Sequence, residues 1–144
     1  MNSDPVIVEE TYTSSPAMIW SALTNSAEMR QWYFEIADFK PTLGFEFNFK
    51  AGRPGSEVVH LCRVTEVVPK RKIAYSWRYE GVAGNSLVAF ELIPEGEKTQ
   101  VRITHSGLET FPKSHPDLAR ENFVEGWRAI LGESLKSYLE GKPT

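Results

Sequence analysis

The sequence predicts an α+β fold in which one antiparallel sheet is gripped by a long C-terminal helix. Three observations predict it: a strand and a short helix near the N-terminus, strand-like runs with tight turns through the middle, and a long amphipathic segment at the C-terminus. A chain of 144 residues is expected to form one domain, residues 1–144, whose core needs no disulfide or metal. A sheet gripped in this way encloses a cavity, and function is expected there.

The N-terminal region predicts a strand followed by two short helices. Residues 5–13 have the pattern of a strand. Ser15 and Pro16 then supply a polar cap and a proline at the first helical position, which is a typical helix start. This helix is expected to end near Thr24, and a second helical turn is expected over residues 27–32.

The middle of the chain predicts the remaining strands of the sheet. Phe45, Phe47 and Phe49 alternate with polar residues, which places three rings on one face of a strand. Because the turns between successive runs are short, neighbouring strands are expected to pair antiparallel. The further strands are expected at residues 58–68, 73–79, 87–93 and 101–105.

The C-terminal segment predicts one long helix with a single apolar face. With Trp127 as the reference and an α-helical turn, Phe123 falls at about −40° and Ser134 at about −20°. Ser134 is therefore expected to face the sheet and to leave room beneath the helix. Residues 114–117 supply a start signal, and Gly141 supplies a stop.

Charge and cysteine content argue against several classes of protein. Lys plus Arg number 16 against 19 Asp plus Glu, a net charge of −3, and no basic stripe favours nucleic acid as a partner. The N-terminus has no pattern of a signal peptide, and no stretch is long and apolar enough to predict a membrane span. Since Cys62 is the single cysteine, the expected location is the reducing cytoplasm.

Few residues indicate a catalytic, ligand-binding or metal-binding role. His105 shares a strand face with Val101 and Ile103 and is expected to point inward, either as a hydrogen-bonded core histidine or as a group that contacts a ligand. His60 has the same two interpretations, and two histidines without a third ligand do not make a metal site. Cys62 is interpreted as a small apolar residue of the core. In the absence of phosphate-loop, serine-elbow or zinc-binding motifs, the sequence predicts no catalytic residue, metal or cofactor.

Four separated pieces of the sequence together resemble a known family. They are Pro16 through Trp32, Val64 to Pro69 with residues 75–77, residues 104–107, and Gly126-Trp127 with Leu131, Leu135 and Leu139. This pattern is similar to that of the activator of heat-shock protein 90 ATPase homologue family, a branch of the START-like superfamily, also called SRPBCC or Bet v-like. The resemblance implies a helix-grip fold, in which a curved antiparallel β-sheet wraps around a long C-terminal α-helix, with two short helices after strand 1.

The predicted function is that of a START-like domain that binds a small apolar or amphipathic molecule between the sheet and the C-terminal helix. Rings are expected to supply the contact area, although they can equally fill the space as core. Tyr75, His105 and Arg120 are expected to anchor polar groups, with Arg120 at the mouth favouring an anionic head group. The candidate ligand-binding residues are Trp32, Phe47, Tyr75, Trp77, His105, Arg120, Phe123 and Trp127.

Two other functions stay open from the sequence. One is a cochaperone-like module that stimulates a chaperone ATPase through a protein partner. The other is a cyclase or hydrolase that uses His105 with Tyr75 in the same cavity. The sequence is compatible with either a monomer or a homodimer.

Overall fold

Strands and helices follow each other in the order that the sequence predicts. The computed structural model describes residues 5–51, 57–114 and 118–141. These residues form β1 (Val6–Tyr12), α1 (Pro16–Thr24), α2 (Ser26–Trp32), β2 (Glu46–Ala51), β3 (Val58–Val68), β4 (Lys72–Tyr79), β5 (Ser86–Glu95), β6 (Lys98–Ser106), a short 3-10 turn (Leu108–Thr110), α3 (Arg120–Ala129), a π-helical segment (Ile130–Leu135) and α4 (Lys136–Glu140).

The sheet is a single curved layer in which every neighbouring pair of strands is antiparallel. Its order is β1-β6-β5-β4-β3-β2, so the first two strands of the chain form its two edges. Alternation directs every second side chain inward: Val101, Ile103 and His105 of β6 are buried, and the residues between them are partly exposed. A register shift between Val64 and Glu66 marks a bulge in β3, which increases the local twist. The predicted sheet is confirmed.

The two short helices after β1 begin where polar caps precede them. Ser15 Oγ accepts a hydrogen bond from the backbone N–H of Met18 at 3.2 Å, and Pro16 occupies the first turn. Asn25 ends α1 and starts α2, because its side chain accepts from the N–H of Glu28 at 3.1 Å. The polar caps therefore place both helices directly after the first strand, as predicted.

One continuous C-terminal helix, residues 120–140, is formed by α3, the π-helical segment and α4. It ends before Gly141, as the stop signal predicts. Its regular part begins at Arg120, later than the predicted start signal at 114–117. Ser114 lies in a turn, and residues 115–117 lie outside the described part of the chain.

The π-helical segment changes which residues of the C-terminal helix face the sheet. An ideal α-helix advances about 40° beyond a full turn every four residues, so a buried series with that spacing would drift by about 160° over four steps. The wider π turn corrects this drift, and Ser134 is exposed. The prediction that Ser134 faces the sheet is wrong, because the α-helical phase does not continue through residues 130–135. The buried series is Phe123, Trp127, Leu131, Leu135 and Leu139.

The first strand is joined to the π-helical segment by a hydrogen bond. The buried hydroxyl of Tyr12 donates to the backbone carbonyl of Leu131 at 2.6 Å. Wider helical turns leave carbonyls that need such partners, since an unpaired buried carbonyl costs free energy. The core thus lies between the inner face of the sheet and the C-terminal helix. Among the described residues, no helix has the length and apolarity required to cross a bilayer.

Candidate functional site

A cavity of about 290 Å³ lies between the sheet and α3. Its inner wall consists of buried side chains from β3 and β4, and its mouth includes exposed positions of α3. The lining is mostly apolar. The described residues that line it are Phe34, Ala51, His60, Trp77, Tyr79, Asn122, Phe123, Gly126, Trp127 and Ile130.

Gly126 helps to keep the mouth of this cavity open. A Cβ atom built on Gly126 would meet no other atom within 4 Å, so any side chain at this position would extend into free space. Glycine inside a helix costs about 1 kcal/mol relative to alanine, so its use here opposes helix stability. The bare backbone therefore leaves room for a ligand where another residue would narrow the entrance.

His60 supplies a polar atom to a wall that is otherwise aromatic. Its ring stacks on Phe49 with centroids 4.6 Å apart and meets the edges of Trp77 and Tyr79. Nδ1 lies 2.9 Å from the carbonyl oxygen of Val58, which can only accept, so Nδ1 carries the hydrogen of the neutral ring. Burial lowers the pKa of His60, and the nearby backbone carbonyls oppose that shift only in part. Nε2 is therefore the acceptor of a neutral imidazole.

Tyr79 supplies a second polar atom beside His60. Its hydroxyl oxygen accepts a hydrogen bond from Trp77 Nε1 at 2.8 Å. Burial raises the pKa of Tyr79 to about 12, so the hydroxyl keeps its hydrogen at neutral pH and can donate it. His60 and Tyr79 are register partners on β3 and β4, which explains why their rings lie 4.7 Å apart.

His105 is fully buried, but it is not among the described residues that line the cavity. Trp127 Nε1 donates to His105 Nδ1 at 3.0 Å, so Nε2 carries the hydrogen and donates to Ser86 Oγ at 2.8 Å. Ser86 Oγ in turn donates to the carbonyl of Trp77 at 2.6 Å. Burial lowers the pKa of His105 to about 3. Both ring nitrogens are engaged, as a hydrogen-bonded core histidine requires.

The side chains around Tyr75 form a closely packed aromatic region, the filled region, which is defined by Trp32, Tyr33, Phe39, Phe47 and Tyr75. The hydroxyls of Tyr33 and Tyr75 lie 2.7 Å apart, and burial raises the pKa of both. Phe47 meets Tyr75 edge-on with centroids 5.0 Å apart. Trp32 Nε1 donates to the carbonyl of Ala22 at 2.9 Å. In this region the polar atoms of Trp32, Tyr33 and Tyr75 all have partners within the protein.

Arg120 lies away from the cavity mouth. Its Nη2 donates to the carbonyl of Pro5 at 3.2 Å, and its side chain borders a separate surface groove with Glu121, Glu125 and Arg128. Among the described residues that line the cavity, none is Lys, Arg, Asp or Glu. No cationic side chain of the described lining is therefore available to pair with an anionic head group.

Of the eight residues expected to bind a ligand, the structure brings Trp77, Phe123 and Trp127 together around the cavity. Trp32, Phe47 and Tyr75 belong to the filled region, and His105 packs against the rings of Phe123 and Trp127. Tyr75 and His105 share a row across the sheet with Val88 between them, and their polar atoms bind different partners.

Seven cavity residues were not among the eight expected ligand-binding residues, although the sequence allows His60 either a core or a ligand-contacting role. His60 and Tyr79 have a signal in the alternation of β3 and β4, and Gly126 has one as a glycine inside a helix. Phe34 follows α2 in an irregular segment, where no periodicity predicts its direction. The other three residues are Ala51, Asn122 and Ile130.

Cys62 is a free, buried thiol on the inward face of β3, in register with Phe47 and Trp77. Burial raises its pKa, which disfavours the thiolate that nucleophilic chemistry needs. Within residues 5–51, 57–114 and 118–141, no three His, Cys, Asp or Glu side chains come together in a group that could hold a metal ion.

A family model identifies the proteins to which this chain is related. The family model described as "Activator of Hsp90 ATPase homolog 1-like protein" matches residues 13–140. The chain belongs to this family. The resemblance of the four sequence pieces is thereby confirmed. No curated protein matches the sequence.

Several solved structures share this fold. Protein MLL2253 from Mesorhizobium loti is 28% identical, with a TM-score of 0.78 over 97% of this chain and 99% of that chain. Mll3558 from Rhizobium loti is 25% identical, with a TM-score of 0.80 over 93% and 95%. The Aha1 dimer from Colwellia psychrerythraea is 21% identical, with a TM-score of 0.68 over 95% and 96%. The last likeness concerns the fold alone.

Proposed function

We propose that this member of the Activator of Hsp90 ATPase homolog 1-like family binds a small, largely apolar molecule in the cavity between the sheet and α3. The observation that carries the proposal is an apolar, ring-lined space whose mouth contains a helical glycine. Burial of apolar ligand surface supplies the driving force for such binding, and the rings supply most of the contact.

The size of the cavity limits the ligand. A volume of about 290 Å³ lies at the small end of ligand sites, which span roughly 300–1,000 Å³. A molecule with one or two fused rings suits this space better than a long lipid. Trp77, Phe123 and Trp127 are proposed to contact it, together with His60 and Tyr79.

The other residues expected from the sequence are not proposed to contact the ligand. Trp32, Phe47 and Tyr75 hold the wall behind the cavity, and His105 holds Trp127 through its indole N–H. Arg120 borders a different groove and is not proposed as an anchor.

Binding of N-phenyl-1-naphthylamine, a neutral dye whose fluorescence rises in apolar surroundings, tests the proposal. The wild-type protein is expected to bind it with a stoichiometry of about one, because the proposal assigns binding to this single cavity. Gly126→Leu is expected to abolish binding, since its side chain would fill free space at the mouth. Isothermal calorimetry on the same proteins measures stoichiometry independently of fluorescence.

Lys136→Leu is the matched control. It introduces the same side chain at an exposed position of the same helix, away from the cavity lining. Dye binding that persists in folded Gly126→Leu protein, or that is lost equally in Lys136→Leu protein, would reject the cavity as the binding site.

A further inference from the structure

We propose that the cavity selects a neutral ligand that carries a hydroxyl group, recognised by His60 and Tyr79 as an acceptor and donor pair. This inference rests on the proposed function, since it assigns the polar specificity of the same cavity. It names two specificity-determining residues and a chemical class: a small aromatic alcohol or phenol rather than a hydrocarbon or a carboxylate.

The first step concerns the free nitrogen of His60. Nδ1 donates to the Val58 carbonyl, so Nε2 is left with a lone pair. The hydrogen bond that His60 makes in good geometry is at Nδ1, although the carbonyl of Phe49 also lies near enough to the ring to raise its pKa. Every fully buried polar side-chain atom in the described residues has a partner. Nε2 therefore reaches accessible space, and the space that His60 lines is the cavity.

The second step concerns the hydrogen of the Tyr79 hydroxyl. The oxygen already accepts from Trp77 Nε1, and among the described residues no group accepts the hydroxyl hydrogen in return. Tyr79 also lines the cavity. The hydroxyl is thus a donor held in place by the indole of Trp77, which is itself part of the cavity wall.

The third step concerns the positions of His60 and Tyr79 relative to each other. His60 and Tyr79 are directly paired across β3 and β4, with ring centroids 4.7 Å apart at an angle of 68°. A ligand hydroxyl is one group that both donates and accepts, so it can donate to Nε2 and accept from Tyr79. A hydrocarbon would satisfy neither atom. Leaving desolvated polar groups unpaired is what makes such sites discriminate against it.

The fourth step excludes a charged head group. Among the described residues of the lining there is no cationic side chain, and burial lowers the pKa of His60, so the imidazole is neutral near pH 7. A carboxylate in this cavity would lose its hydration without gaining a counter-charge, which is costly. The described lining therefore favours a neutral ligand.

Three probes that share one ring system test this inference: 2-naphthol, naphthalene and 2-naphthoate, titrated into the full chain near neutral pH by calorimetry or fluorescence. One to two hydrogen bonds predict that 2-naphthol binds about fivefold to tenfold more tightly than naphthalene. 2-Naphthoate is expected to bind more weakly than 2-naphthol, because its charge has no partner.

Substitutions at His60 and Tyr79 test whether these residues cause the preference for 2-naphthol over naphthalene. His60→Leu and Tyr79→Phe are each expected to lower the ratio of 2-naphthol to naphthalene affinity, and the two together should bring it close to one. His60→Gln, which retains an acceptor, is expected to lower it less than His60→Leu. Tyr12→Phe is the matched control, because it removes a buried hydroxyl that binds Leu131 outside the cavity. Because both affinities are measured on the same variant, their ratio does not change when part of the protein is unfolded.

The outcomes separate this inference from the proposed function. If naphthalene binds but 2-naphthol is not preferred, or if the ratio survives both substitutions, the hydroxyl-recognition inference is overturned and the binding function stands. Equal or tighter binding of 2-naphthoate overturns the neutral-ligand assignment in the same way. If none of the three probes binds the wild-type protein, both proposals fall.

Discussion

In the filled region the hydroxyl of Tyr75 is paired with that of Tyr33, whereas in the cavity wall His60 makes its hydrogen bond through Nδ1, which leaves Nε2 as an acceptor. Both regions use rings from the same strand, since Tyr75 and Tyr79 lie four residues apart on β4. Around Tyr75 the rings of Phe39 and Phe47 close the space at centroid distances of 6.4 and 5.0 Å.

The difference between these regions teaches that ring content alone does not decide whether an interior is filled. The cavity exists where the helix presents Gly126, and its wall includes the rings of His60 and Tyr79. Where the polar atoms are paired within the protein, rings act as core. Substitutions in the two regions should therefore separate stability from binding.

The largest expected effect is on stability, from Trp127→Ala. Trp127 contacts the rings of Trp77, Phe90 and His105 and donates to His105, so its removal leaves a void and an unpaired nitrogen. The free energy of unfolding should fall by about 3–5 kcal/mol. Urea denaturation followed by circular dichroism measures it. Lys136→Ala, an exposed change on the same helix, should alter stability by less than about 0.5 kcal/mol.

The next effect distinguishes the filled region from the cavity. Tyr75→Phe leaves the partly buried Tyr33 hydroxyl without its partner and should cost about 1–2 kcal/mol of unfolding free energy. Binding of N-phenyl-1-naphthylamine should change little. Tyr138→Phe serves as a comparison, because its hydroxyl binds Glu28 nearer the surface, where water can replace it. A large loss of dye affinity in folded Tyr75→Phe protein would show that the two regions are not distinct.

A pH titration of stability reports the buried histidines. Burial lowers the pKa of His105 to about 3 from 6.5, so the unfolded chain binds a proton that the folded chain does not as pH falls below 6.5. Stability is therefore lost on acidification, by about 1.4 kcal/mol from His105 between about pH 7.5 and 5.5. The lowered pKa of His60 acts in the same direction. His105→Gln should flatten this slope, and an unchanged slope would contradict the assignment.

The smallest expected effect on stability has the opposite sign. Gly126→Ala should raise the free energy of unfolding by about 0.5–1 kcal/mol, because alanine favours a helix and no atom obstructs its Cβ. It should also weaken dye binding. Gly132→Ala is the matched control, since a Cβ there would lie 3.5 Å from Glu10 Oε2, outside the cavity lining. Equal dye affinity in both variants would argue against a role for the Gly126 opening.

Much of the fold could be predicted because local patterns determine it. Alternation defined the strands, and the Ser15-Pro16 start defined α1. The π-helical segment could not be predicted, because a spacing of four residues is compatible with an α-helix that drifts. That segment decides that Leu135, and not Ser134, is buried.

The candidate site was less predictable than the fold. Strand alternation shows that His60 and His105 both point inward, but not which of them meets free space, since that depends on the opposing helix. His105 meets Trp127, whereas His60 lies beside the cavity that Gly126 opens. Arg120 shares the apolar face of an ideal helix, yet the chain at Pro5 provides its carbonyl partner, a long-range contact that helical spacing does not encode.

Amide chemical-shift mapping with 2-naphthol tests most directly the central claim that ligands occupy the cavity and not the filled region. In ¹H–¹⁵N spectra of the full chain, shifts should concentrate at Ala51, His60, Tyr79 and Gly126, which line the cavity, and leave Phe47 little changed. Saturable shifts centred on Phe47 and the filled region, or shifts scattered over the outer face of the sheet, would contradict the account.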